Sequence, residues 1–145
     1  MLQYHNMSKK IVIGLTGDND TLKSKVTKTF VDIGFHKVSV SSKVKEFAKY
    51  LLPGNVFPEE TLQGIRERGY NVNKCYWINL VLASVPDNKE LIIIDDLQSE
   101  DIIDGVVISY EVVDQKHIKS DHTINGESTD LQSEIHGKIK KIASK

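Results

Sequence analysis

Gly17, Lys23 and Ser24 stand at the spacing of a phosphate-binding loop, in which a glycine is followed by four residues and then Gly-Lys-Ser/Thr. In such a loop successive backbone N–H groups converge on an anion at a helix N-terminus. The Lys reaches the β- and γ-phosphates of ATP, and the hydroxyl holds Mg2+. Here Leu22 occupies the second glycine position, so the segment is a degenerate Walker A loop. If that position needs left-handed backbone angles, a leucine there costs on the order of 1–2 kcal/mol. Asp18 and Asp20 add two negative charges beside a site meant for a polyphosphate. At about 6 Å and an effective dielectric near 20, each such pairing costs roughly 2–3 kcal/mol. The other reading of the segment is a strand–turn–helix without a ligand.

Two further groups could take part in the same chemistry. Leu91-Ile92-Ile93-Ile94 is an apolar run ending in Asp95-Asp96. A rigid strand that aims a carboxylate at bound phosphates is what a Mg2+ site needs, and Asp95 is expected to face it. The chain has only two arginines, Arg66 and Arg68. At i and i+2 they do not share a helix face, so one can grip a phosphate while the other pairs with a glutamate or a neighbouring chain. A solvated helix end is the plainer reading. The five histidines show no metal-ligand spacing, and the Lys-rich segment from Lys138 suits the negative end of a helix.

These groups must be held by a frame that the remaining sequence supplies. At 145 residues the chain fits one domain, 9–145, preceded by a flexible segment at 1–8. With a net charge of -1, no basic field argues for nucleic acid. No apolar run approaches the roughly 20 residues that span a membrane, and the start carries no signal-peptide pattern. The lone Cys75 excludes an intramolecular disulfide and suits a reducing, cytoplasmic setting; a small buried apolar side chain is its simplest role.

Residues 10–16 read as a buried strand and 23–34 as a helix burying Val26, Phe30 and Ile33. Residues 36–41 alternate as a second strand, and Ser42 can cap a helix over 43–52. A further helix runs from Pro58 to about Gly69, and another, capped by Asn73, runs to about 84. In that last helix Tyr76 and Trp77 read as core. Strands follow at 91–94, 106–113 and 122–124, with a polar loop at 114–122. A capping box at 129–132 opens a final helix with Leu131, Ile135, Ile139 and Ile142 in one stripe. Alternating strands and helices predict a three-layer α/β fold of the P-loop NTPase type, with a mostly parallel five-stranded sheet and helices on both faces.

In this order of motifs the chain resembles P-loop nucleoside monophosphate kinases, most nearly the bacteriophage-type deoxynucleoside monophosphate kinases, with dephospho-coenzyme A kinase as a cousin. The matching pieces are Ile11 to Gly17 with Lys23-Ser24, Tyr76 to Leu80, Ile92 to Asp96, and His122 to Gly126 with Leu131. The resemblance implies ATP as phosphate donor and a nucleoside monophosphate as acceptor. It gives Lys23 to the donor phosphates, Ser24 and Asp95 to Mg2+, and Arg66, Arg68 and Lys43 to the acceptor phosphate. Asn125 and Gly126 would lie beside the donor base. Three departures weaken catalysis: Leu22 in the loop, Gln98 where such kinases carry an Arg, and only 114–121, without Arg, where they insert a lid. Phosphoryl transfer depends on cations around the moving group and on exclusion of water. The alternative expectation is a non-catalytic pseudokinase that keeps the fold for a homodimer or another protein partner.

Overall fold

The computed structural model describes residues 10–103, 106–117 and 122–143. The segment expected to be flexible at 1–8 and half of the shortened lid lie outside the described residues. Five strands form one sheet: β1 (Ile11–Thr16), β2 (His36–Val38), β3 (Leu91–Ile94), β4 (Ile108–Val113) and β5 (Thr123–Asn125). Their order is β2-β3-β1-β4-β5, and every pair is parallel. The mostly parallel sheet expected from the sequence is therefore wholly parallel.

The helices are α1 (Asp20–Asp32), α2 (Val40–Leu51), α3 (Glu59–Val72), α4 (Tyr76–Ala83) and α5 (Leu131–Ala143). A strand sends alternate side chains to opposite faces, and the central strands are apolar on both. Ile13, Leu15 and Ile93 pack with Val26 and Phe30 of α1 and with Leu131 and Ile135 of α5. Val12, Ile92 and Ile94 pack on the other face with Val44 of α2, Leu62 of α3 and Trp77 of α4. Helices thus cover both faces, as expected for buried parallel strands. No helix among the described residues is long and apolar enough to cross a membrane.

Several element boundaries differ from the sequence reading: Asn73 ends α3 and accepts the Cys75 N–H instead of capping α4, which begins at Tyr76, and β4 begins at Ile108 rather than 106. α1 begins three residues early because Asn19 caps it. α2 begins at Val40, so the second strand stops at Val38 and the cap is Ser39, not Ser42. The Ser39 hydroxyl accepts the Ser42 N–H at 3.3 Å, and Asp96, across the sheet, accepts the N–H groups of Val40 and Ser41. α3 runs past Gly69, which serves packing rather than termination: a side chain there would collide with the Trp77 indole. That indole donates to the Arg66 carbonyl at 2.7 Å.

Candidate functional site

β1 passes the chain to one face of the sheet through α1, whereas the segment after β3 packs Leu97 on the opposite face. Adjacent parallel strands that diverge in this way open a crevice at their carboxyl ends, where ligands of open α/β sheets bind. A cleft of about 670 Å³ lies there, between the loop after β1, the segment after β3, and α2 and α3. Gly17 forms its back edge with φ of 133°, and a Cβ there would stand 2.7 Å from the Val112 carbonyl oxygen. Only glycine meets both conditions.

Of the residues assigned to phosphate chemistry, the cleft gathers Gly17, Lys23 and Arg66. The Lys23 ammonium is 3.5 Å from Asp20, with side-chain exposures of 17% and 94% respectively, so solvent screens the pair. Leu22 is not strained: it lies inside α1, and no residue other than glycine has positive φ among those described. What replaces the phosphate cradle is an ordinary helix cap. The Asn19 side chain accepts the Leu22 N–H at 3.0 Å, and the Asn19 carbonyl accepts the Lys23 N–H at 3.0 Å. Two donors that would face an anion are already used.

Arg66 is buried and engaged through Nε and Nη2, while its Nη1 stands 3.9 Å from the Asp96 carboxylate. Its guanidinium donates to Asp101 at 2.6 Å, to the Asp96 carbonyl at 3.0 Å and to the Tyr70 hydroxyl at 2.9 Å. Tyr70 in turn donates to Asp101 at 2.7 Å, and Asp101 also accepts the Gln98 N–H at 2.9 Å. Burial opposes the Arg66 charge, but the bonds to Tyr70 and Asp101 outweigh it and raise its proton affinity. Burial likewise pushes the Tyr70 hydroxyl far above its usual range. This cluster fastens the segment after β3 onto α3. Gln98 and Gln63 add a pair of amide contacts at 3.2 and 3.5 Å across the same junction.

The other assigned residues are not brought to the cleft. Ser24 is exposed on α1. Lys43 pairs with Glu46 at 3.3 Å in a separate shallow depression, and Arg68 lines an apolar groove on another side of α3. Asn125 is buried, where it accepts the Glu127 N–H, donates to Gln115 and donates its own N–H to Glu134. Gly126 is covered by Leu22, whose Cβ would lie 2.8 Å from a Cβ at 126. The residue that replaces the loop glycine thus packs directly on Gly126.

The two aspartates exchange their expected roles. Asp96, not Asp95, lines the cleft, because consecutive residues leave a strand end on opposite sides. Both Asp96 oxygens are occupied, one by the Val40 N–H and the other by the Ser41 N–H and the Ser39 hydroxyl. Burial opposes its charge, but the bonds from Ser41 and Val40 hold its carboxyl below the ordinary value. Asp95 lies 3.6 Å from Lys37, and its Oδ1 is buried without a hydrogen-bond partner. Burial, and then the charge of Asp96, raise its pKa. Mg2+ does not fit this donor set: Ser24 and Asp95 lie off the cleft, and Asp96 already accepts three hydrogen bonds from the start of α2. Among the described residues no group of three or more His, Cys, Asp or Glu is placed to hold a metal ion.

Lys45, one turn after Ser41 on α2, is a cleft cation that motif reasoning missed. Its spacing from the Ser39 cap could have revealed it once α2 was correctly placed. Five acids, Asp18, Asp20, Glu59, Asp96 and Glu100, share the cleft with three cations, Lys23, Lys45 and Arg66. Asp101 also pairs with Arg66 from outside the cleft lining, so acids outweigh cations there. The chain matches no protein-family model, no curated protein and no solved structure.

Proposed function

We propose that this chain is a nucleoside monophosphate kinase-like α/β protein that has lost phosphoryl transfer and acts by binding a partner rather than by turnover. The observation that carries the reading is the use of the Leu22 and Lys23 N–H groups by Asn19. A phosphate loop depends on those amides, and a capped helix offers them to nothing else. The acidic cleft and the hydrogen bonds that Asp96 and Arg66 already make within the chain support the same reading. Kinase ancestry is supported by the order of motifs along the sequence and by a glycine-hinged turn leading from the central strand into a helix that carries Lys23.

The test is thermal unfolding with millimolar Mg-ATP, since a ligand raises stability only by binding the native state. The expected result is no shift, together with no phosphate transfer to any common nucleoside monophosphate. A clear shift that disappears in Lys23→Ala would restore the kinase reading.

A further inference from the structure

The face of α3 turned away from the cleft is uncovered, and its residues are arranged symmetrically about one glycine. Glu60, Gly64, Arg68 and Val72 recur every fourth position and are all exposed, which makes them neighbours along one stripe. Glu60 and Arg68 stand four residues either side of Gly64, with opposite charges. Val72, at the end of the stripe, is 75% exposed. The stripe itself lines a groove of about 530 Å³, together with Phe47, Leu51, Tyr76 and Trp77.

We propose that this face binds the same face of a second copy of the chain, with the two α3 helices antiparallel and crossing at Gly64. A two-fold contact sets each residue before the crossing against the residue equally far after it in the other copy. Glu60 then meets Arg68 of the second copy, and Arg68 meets its Glu60. Within one chain Glu60 and Arg68 lie about 12 Å apart along the helix, too far to pair. Among the described residues neither has an ion-pair partner. Among the described residues, nothing outside the helix's own backbone lies within 4 Å of where a Gly64 Cβ would be, so packing within the chain does not require glycine there. Glycine weakens a helix interior, and at a crossing point it lets two helices approach closely. The contact uses none of the residues that line the cleft, so it stands independently of nucleotide binding.

Light scattering or sedimentation should give a mass twice 16.3 kDa. Gly64→Lys should yield a folded monomer, because the site is open within the chain. Glu60→Lys and Arg68→Glu should each weaken the dimer by at least about tenfold, since each sets two like-charged pairs face to face. The double reversal should recover it, because each introduced lysine would then meet an introduced glutamate of the other copy. A wild-type monomer at high micromolar concentration overturns the proposal, as does a dimer indifferent to Gly64→Lys. Failure of the double reversal to restore association overturns it as well, and that readout does not depend on any single variant's stability.

Discussion

The Asn19 carboxamide accepts the Leu22 N–H at 3.0 Å, and this one bond converts a phosphate-loop sequence into a capped helix. The cap replaces an anion in satisfying the first turn of α1. Asn19→Ala is expected to cost about 1 kcal/mol and Asn19→Asp little, as for other N-caps. Urea unfolding of the two variants measures the difference; equal losses would show that the carboxamide oxygen does not matter.

Leu22 packs so closely on Gly126 that a side chain at 126 needs a smaller residue at 22. A methyl group at 126 would meet the Leu22 Cβ at 2.8 Å and the Val112 side chain at 3.1 Å. Gly126→Ala should destabilise by about 1–3 kcal/mol, the usual cost of overpacking. The same change in a Leu22→Gly background should cost distinctly less. A double-mutant cycle reads the coupling directly, and additive losses would contradict the contact.

Asp101 has no exposed surface and is the anion that makes a buried Arg66 tolerable. Asp101→Ala should cost about 3–5 kcal/mol, because it strands a buried guanidinium. Tyr70→Phe removes one hydroxyl that bonds both partners and should cost about 1–2 kcal/mol. Denaturant midpoints should keep that order. Near-equal effects would mean that the cluster is not organised around the ion pair.

How far the sequence could be read depended on where the deciding partners lie in the chain. The strands and most helices were legible because their apolar periodicity is local, as in Ile92-Ile93-Ile94 or the Leu131–Ile142 stripe. The start of α2 was not, because the group that fixes it, Asp96, is 56 residues from Val40. Lys23 and Gly17 were found because spacing alone identifies them. The fate of Arg66 was hidden: its partner Asp101 is 35 residues away and looks from the sequence like one more acid in a polar stretch. Asp95 was chosen over Asp96 because an apolar run shows that a strand ends but not which of two terminal acids turns towards the crevice.

The two aspartates should pull the pH profile in opposite directions. Asp96 has a lowered folded pKa, so the unfolded chain binds more protons just below the ordinary carboxylate value of 3.8. Its contribution is complete above that value and is lost as pH falls through the folded one. Asp96→Asn should flatten this acid limb. Asp95 is raised, so its ionisation weakens the fold as pH rises from 3.8 through its folded pKa. Asp95→Asn should therefore raise the neutral-pH melting temperature, by roughly 3 °C if it recovers about 1 kcal/mol. Thermal scans from pH 3 to 7 on both variants check the signs.

The placement of β1 at the centre of the sheet also sets the order of events when the chain folds. Ile11 pairs with Leu91, and Ile13 with Ile108, so the first described strand finds no neighbour until residues far along the chain arrive. Closing such distant contacts makes folding slow. In the meantime Val12, Ile13 and Leu15 are exposed on an unpaired strand, a state prone to sticking to other chains. A nascent chain halted before Leu91 should hold α2, α3 and α4 without a sheet to rest on, which makes β3 the element whose synthesis commits the protein to its native form.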